Sequence, residues 1–222
     1  MDKLSGELQR LHFLPGQQAL GIAFRRAADW ESAALLWRTV QEELDLPAPA
    51  VSVDGQGYRL WFSLAEPVDE QQARRFLDGL HNRYLADLPA SRLEFGLAGD
   101  PPGPLADGER WAAFIDPGMG SMFVAEPWLE MAPNRNQQAD LLAGFVSMRT
   151  ADFVRALALL QPAGQATAAD DNAVPVASAP SLQGPFTEPK QFLLAVMNDA
   201  GASLPQRIEA AKALLPYFEK TP

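Results

Sequence analysis

The chain has 222 residues, a formal net charge of −10 and no cysteine. The lack of cysteine excludes disulfides, thiolate nucleophiles and sulfur-ligated zinc sites, and it suits the reducing cytoplasm, where we expect the protein to act. The negative charge disfavours a nucleic-acid-binding protein, because such proteins usually present a basic face to the phosphates.

The N-terminal part of the chain predicts a strand and a helix. Residues 18–25 alternate large and small apolar side chains, which is typical of a strand that is covered on both faces. Asp29 is placed to cap the next helix. Apolar residues recur at helical spacing over 30–44, and charged residues take the opposite side, so this helix is predicted to be amphipathic.

A tight hairpin is predicted after that helix. Residues 50–53 and 58–64 are extended apolar runs, and the Asp-Gly-Gln-Gly sequence at 54–57 joins them. Its glycines supply the positive φ angles that a short hairpin requires. Arg59 and Trp61 alternate with large apolar residues on the second strand, so they are predicted to share one face of the sheet.

A second helix and a fourth strand complete the pattern. Asp69 is placed to cap a helix that reaches about residue 85, and residues 92–97 alternate as a strand does. The order strand, helix, strand, strand, helix, strand predicts an α+β fold. We expect an extended ferredoxin-like (split βαβ) antiparallel sheet with its helices on one face.

Further elements are predicted to extend this core. Residues 111–115 and 122–125 predict additional strands after a loop rich in proline and glycine. Helices are predicted over 138–146 and 150–160, from the spacing of their apolar residues. Residues 1–160 are therefore assigned to one α+β domain with helices at its C-terminal end.

The C-terminal quarter of the chain differs in composition. Residues 161–184 are dominated by small and polar residues and contain no aromatic side chain, which predicts a flexible linker over 161–186. Residues 187–222 predict a hairpin of two short amphipathic helices. Such a pair buries too little surface to be stable alone, so it must dock on its own core or on a partner. The residues expected to make this contact are Phe192, Val196, Ile208 and Leu215.

The hairpin sequence carries a resemblance to a known family. Residues 55–67 read Gly-Gln-Gly-Tyr, then Arg, then Leu-Trp-Phe, and end in Leu-Ala-Glu-Pro. This pattern resembles the palm of archaeo-eukaryotic-type primases and primase-polymerases, which share the split βαβ core. The resemblance covers residues 18–117. Arg59 stands where that family has a histidine.

The resemblance implies a palm that has lost polymerase chemistry. The acidic pair that binds metal in the family falls on the first strand, where this chain has Gly21, Ala23 and Arg25. None of these residues binds a divalent cation. The candidates that remain for binding a nucleotide or a nucleic acid are Arg25, Arg59 and Trp61.

A second resemblance lies at the end of the chain. Residues 192–199 read Phe-Leu-Leu-Ala-Val-Met-Asn-Asp, and residues 210–217 read Ala-Ala-Lys-Ala-Leu-Leu-Pro-Tyr. With Arg207 between them, these segments resemble a short helical module at the ends of phage small-terminase-like and other phage-associated proteins. Such modules imply contact with a protein.

These observations favour two hypotheses for the function and leave open an enzyme whose dispersed residues, such as Asp54 and Asp116, converge in one cleft. The first is a non-catalytic interaction or adaptor protein that contacts a partner, or itself, through the C-terminal hairpin. The alternative is a degenerate, primase-palm-like factor of a mobile element that binds a nucleotide or nucleic acid. His12 and His81 lack metal-ligand spacing and a neighbouring nucleophile, so no catalytic residue, metal or cofactor is predicted. No run of ~18 apolar residues occurs, and no membrane contact is expected.

Overall fold

Five strands form one antiparallel sheet in the order β4-β1-β3-β2-β5. The computed structural model describes residues 2–17, 19–161 and 212 of the chain. The strands in this part are β1 Leu20–Phe24, β2 Ala50–Val53, β3 Tyr58–Phe62, β4 Leu93–Leu97 and β5 Ala113–Ile115. The α-helices are α1 Lys3–Arg10, α2 Trp30–Glu42, α3 Glu70–Tyr84, α4 Arg135–Ala143 and α5 Thr150–Leu160.

The prediction of a mixed α and β fold with an antiparallel sheet is confirmed. The elements β1, α2, β2, β3, α3 and β4 follow one another in the predicted order. In the register of the sheet, Ile22 of β1 lies between Leu60 of β3 and Phe95 of β4. The two helices of this series connect strands that are not neighbours in the sheet.

The predicted turn between β2 and β3 is present. The Asp54 carboxylate accepts hydrogen bonds from the backbone N–H groups of Gln56 and Gly57, at 3.1 and 3.0 Å. Gly55 adopts a φ of +87°, a conformation that costs little only for glycine. Gly55 therefore serves the tight turn. Gly57 has no positive φ, and a glycine is required there because a Cβ would lie 2.0 Å from the Phe24 carbonyl oxygen.

Side chains alternate between two cores, one on each face of the sheet. Ile22, Leu60 and Phe62 pack with α2, α3 and α5 in the larger core. Trp61 and Phe114 belong to a second core, which α1 and α4 complete. The helices thus cover both faces of the sheet, and the predicted one-sided arrangement is wrong. The prediction lacked α1, and it did not place α4 on the second face.

Asp29 precedes α2 but does not cap it. Its side chain makes no hydrogen bond to the first turn of the helix. Its two carboxylate oxygens accept instead from Nε and Nη2 of Arg92. The Nε–Oδ2 distance is 3.1 Å. Asp29 is only 4% exposed, and a buried carboxylate requires a partner of this kind. The long-range ion pair takes precedence over the local cap.

The strand predicted over 122–125 is absent. Residues Pro117–Phe123 form a 3-10 segment, and the Asp116 carboxylate caps it by accepting from the Gly118 N–H at 2.7 Å. Gly120 lies directly against the indole of Trp30, where a Cβ would come within 2.1 Å of ring carbons. This contact holds the 3-10 segment against the N-terminal end of α2, so the segment does not form an extended strand.

In the part of the chain that the structure describes, no helix is both long and apolar enough to cross a membrane. The linker and hairpin predicted over 161–186 and 187–222 lie outside the described residues, apart from Gln161 and Lys212.

Candidate functional site

Trp61, a candidate for binding a nucleotide or nucleic acid, lies inside the second core. The residue is 2% exposed. Its ring packs against Phe13 and Phe114, with centroid distances of 5.2 and 5.3 Å. Its indole N–H donates to the Ser52 hydroxyl at 2.8 Å. Both the ring and its polar atom are engaged, so no ring face is accessible to a base.

Arg25 and Arg59 share that sheet face with Trp61, as the alternation predicts. Arg59 is half-buried, donates to the Ala98 carbonyl, and has its guanidinium carbon 5.9 Å from the Trp61 ring centroid. Arg25 is more exposed and forms an ion pair with Glu94 at 2.9 Å. The structure therefore brings the three predicted residues to one face, and each has an intramolecular partner there.

The acidic residues considered for chemistry are used locally. Asp54 and Asp116 each accept backbone hydrogen bonds in their own turns. No cluster of three or more His, Cys, Asp or Glu residues with the spacing of a metal site occurs among the described residues. His12 contacts the Leu64 carbonyl through Nδ1 at 2.6 Å. The His81 ring packs against Phe95, with 5.3 Å between the ring centroids.

The two edges of the sheet differ in how their backbone groups are used. At the β5 edge, the side-chain amide of Gln138 bonds the Phe114 backbone twice. Its oxygen accepts from the Phe114 N–H at 2.8 Å, and its nitrogen donates to the Phe114 carbonyl at 2.9 Å. This side chain takes the place of a neighbouring strand and closes that edge.

The β4 edge has no comparable cover among the described residues. The Arg25 N–H donates to the Arg92 carbonyl and the Ala98 N–H donates to the Ala19 carbonyl, both at 2.8 Å. In an antiparallel ladder, hydrogen-bonded and non-hydrogen-bonded pairs alternate. Even-numbered residues of β4 therefore bond β1, and the backbone groups of the odd-numbered ones point away from the sheet. These residues are Leu93, Phe95 and Leu97. The Leu93 N–H donates to the Ala90 carbonyl in the preceding 3-10 turn, so the donors without a partner among the described residues are those of Phe95 and Leu97.

A groove of about 670 Å³ lies between this open edge and α3. Leu20 of β1, Phe95 and Leu97 of β4, and Ala73 and Leu77 of α3 supply apolar lining. Leu97 is 63% exposed, which is high for a large apolar side chain. An apolar concave surface beside unpaired backbone groups is the arrangement that peptide-binding domains use for strand addition.

Local sequence explains why α3 stands beside the groove. Asp69 caps the helix by accepting from the Gln72 N–H at 2.8 Å, as predicted. Phe76 and Leu80 bury one side of the helix in the larger core. Gly79 admits α5, since a Cβ at this position would lie 2.7 Å from the Leu160 Cβ. The helix is thereby fixed on two sides, and its remaining side forms the wall of the groove.

Charged residues form the outer rim of the groove on α3. Glu70 and Arg74 are exposed and 3.8 Å apart. Asp78 is also exposed, and it forms no ion pair or hydrogen bond with the described residues. These three described rim residues together carry a net negative charge.

The predicted partner-contact residues Phe192, Val196, Ile208 and Leu215 lie outside the described residues. The groove itself was not predicted, although the sequence contains a signal for it. Leu93, Phe95 and Leu97 alternate on the strand that a split βαβ order places at an edge.

No family model matches the chain, and no curated protein shows significant similarity to it.

Proposed function

We propose that this protein is a non-catalytic interaction protein that holds a protein partner at the β4 edge and the adjoining groove. The observation that carries the proposal is the contrast between the two sheet edges. The Gln138 side chain closes the β5 edge, whereas Phe95 and Leu97 of β4 have backbone groups with no partner among the described residues, beside an apolar groove. Proteins normally protect their edge strands because an open edge templates association. An edge left open beside a groove is suited to a partner.

We propose the C-terminal segment, residues 187–222, as a second contact with a partner or with another copy of the chain. Its predicted apolar residues are Phe192, Val196, Ile208 and Leu215. A chain that ends at Gly184 tests this part of the proposal by light scattering coupled to size-exclusion chromatography. A change from oligomer to monomer on truncation would assign self-association to this segment. If the particles of both proteins contain the same number of chains, that role is contradicted.

We further propose that the core is ferredoxin-like and related to the primase palm. The strand order β4-β1-β3-β2 supports the ferredoxin-like assignment. Gly21 and Ala23 at the positions of the family's metal-binding acids fit the degenerate palm that the resemblance implies. This relationship to the primase palm concerns the evolutionary origin of the fold. The proposed functional site remains the interaction surface at β4.

Two matched leucine substitutions test the interaction. Leu97→Glu places a charge in the groove, whereas Leu35→Glu places it on α2, outside the groove lining, at a residue that is 50% exposed. Full-length protein is immobilised and proteins captured from a lysate of the source cells are quantified. We expect Leu97→Glu to lower capture at least tenfold and Leu35→Glu to leave it unchanged. Capture by the wild-type protein does not by itself support the proposal. Equal capture by the two variants would contradict it.

The same experiment distinguishes a protein partner from a nucleic-acid partner. Nuclease treatment of the lysate should leave capture intact if the partner is a protein. Since Trp61 is buried, the alternative depends on Arg25 and Arg59. A nuclease-sensitive capture that Arg25→Ala weakens and that falls with rising salt would support the alternative and overturn our proposal.

A further inference from the structure

We infer that the partner presents an extended peptide segment that adds to β4 as a further strand, with apolar side chains at alternate positions and a basic residue beside Asp78. This inference rests on the proposed function and specifies the chemistry of the partner at the same site.

The backbone of β4 determines the shape of the partner. Phe95 and Leu97 direct their N–H and C=O groups away from β1, as the ladder requires, whereas the Leu93 N–H already donates to the Ala90 carbonyl. Successive outward groups are about 6.7 Å apart, because each residue of a strand rises about 3.3–3.4 Å. Only an extended segment presents complementary groups at this spacing. A segment of about five residues spans the edge.

The groove determines which side chains the segment carries. An added strand lies about 4.8 Å from β4, and its side chains point alternately to the two faces of the sheet. Phe95 and Leu97 lie on the face of the sheet that α3 covers, where Leu77 forms the opposite wall. Every second side chain of the segment therefore enters an apolar space, and apolar residues at alternate positions fit it.

The rim determines the charge of the segment. Arg74 is close to Glu70, so these two charges largely compensate each other. Asp78 lines the groove without an ionic partner among the described residues. A lysine or arginine at the end of the segment would neutralise Asp78, and an acidic residue there would be repelled. For an exposed pair this preference amounts to about two- to fivefold in affinity.

Peptide probes with one backbone pattern test each step. The first probe is acetyl-Lys-Thr-Leu-Thr-Val-Thr-Lys-amide, in which the lysines and the apolar residues point to the same face of the added strand. The second replaces both lysines by glutamate. The third keeps the lysines and carries N-methyl groups on alternate residues, which removes the donors needed for strand pairing. Binding to the ¹⁵N-labelled full-length chain is followed by NMR at peptide concentrations up to about 1 mM, which detects a Kd near 1 mM.

We expect the lysine probe to shift the amide signals of Phe95 and Leu97. The glutamate probe should bind two- to fivefold more weakly, and the N-methylated probe should not bind. Leu97→Glu should abolish binding of the lysine probe, and Leu35→Glu should retain it. Asp78→Asn should bring the affinities of the lysine and glutamate probes closer together.

Several results would overturn the inference. One is the absence of binding by the lysine probe, and another is equal binding by the N-methylated probe. A homodimer that Leu97→Glu dissociates would show that a second copy of the chain occupies the groove. If Leu97→Glu abolishes capture of a protein from the lysate while no probe binds, this inference fails and the proposed function stands. If neither capture nor probe binding depends on Leu97, both fail.

Discussion

Gln138 closes one edge of the sheet by bonding the backbone of Phe114 in both directions. Its amide oxygen lies 2.8 Å from the Phe114 nitrogen, and its amide nitrogen lies 2.9 Å from the Phe114 oxygen. An aspartate or leucine at residue 138 would not reproduce both bonds, because a side chain must both donate and accept. One side chain thus protects the β5 edge, whereas no described residue covers the β4 edge in this way.

Substitution of Gln138 should destabilise the fold through this edge. Gln138→Ala removes both partners of the Phe114 backbone, and we expect the free energy of unfolding to fall by about 1–3 kcal/mol. Urea denaturation monitored by circular dichroism measures the change. Gln137→Ala is the matched control, since Gln137 is exposed on the same helix and its side chain forms none of these bonds. Equal losses in the two variants would contradict the edge-closing role.

Two helical glycines should respond in opposite directions to alanine. Gly79→Ala places a Cβ 2.7 Å from the Leu160 Cβ, so we expect α3 and α5 to separate at a cost of about 1–3 kcal/mol. Gly6→Ala meets no atom within 4 Å and should stabilise α1 by about 0.5–1 kcal/mol. Thermal unfolding of the two variants measures both changes. A stable Gly79→Ala protein would show that α5 does not depend on this close packing.

Two arginine ion pairs should differ in their contribution to stability. Arg92→Ala leaves the buried Asp29 carboxylate without its partner, and we expect a loss of about 3–5 kcal/mol. Arg25→Ala breaks the exposed pair with Glu94, which lies at 2.9 Å, and should cost at most about 1 kcal/mol. Urea denaturation of both variants at neutral pH tests the difference. Similar losses would mean that the Asp29 carboxylate finds another partner.

Tyr58 should make the fold sensitive to alkaline pH. Burial raises the pKa of the Tyr58 phenol from 10.0 to about 12, and the phenol donates to the Gly120 carbonyl at 2.7 Å. The unfolded chain ionises first, so the stabilisation is fully present below pH 10 and is lost as the pH rises from 10 towards 12. Tyr58→Phe should reduce this loss in urea denaturation between pH 9 and pH 11. An unchanged pH dependence would contradict the assignment to Tyr58.

Much of the fold can be predicted from local patterns. The alternation in β1 and β4 and the Asp69 cap depend on neighbouring residues, and each is found in the structure. The Asp29 cap fails because Arg92 lies 63 positions away in the sequence, and no local pattern reveals that competition. The 3-10 segment at Pro117–Phe123 depends similarly on the contact between Gly120 and Trp30.

The site was harder to predict because exposure depends on tertiary packing. The alternation of β3 places Trp61 on a face, but the packing of α1 and α4 buries that face. The open edge follows from the order of the strands, which the sequence predicts. The groove beside it depends on the distance between α3 and β4. The spacing of apolar residues in the sequence does not determine that distance.

Amide hydrogen exchange in the free full-length chain tests the central claim most directly. The account predicts an alternation along β4. The amides of Glu94 and Gly96, which bond β1, should exchange slowly, and the amides of Phe95 and Leu97, which point away from the sheet, should exchange fast. If Phe95 and Leu97 exchange as slowly as Glu94 and Gly96, the β4 edge is already covered in the free protein, and it cannot be the site that holds a partner.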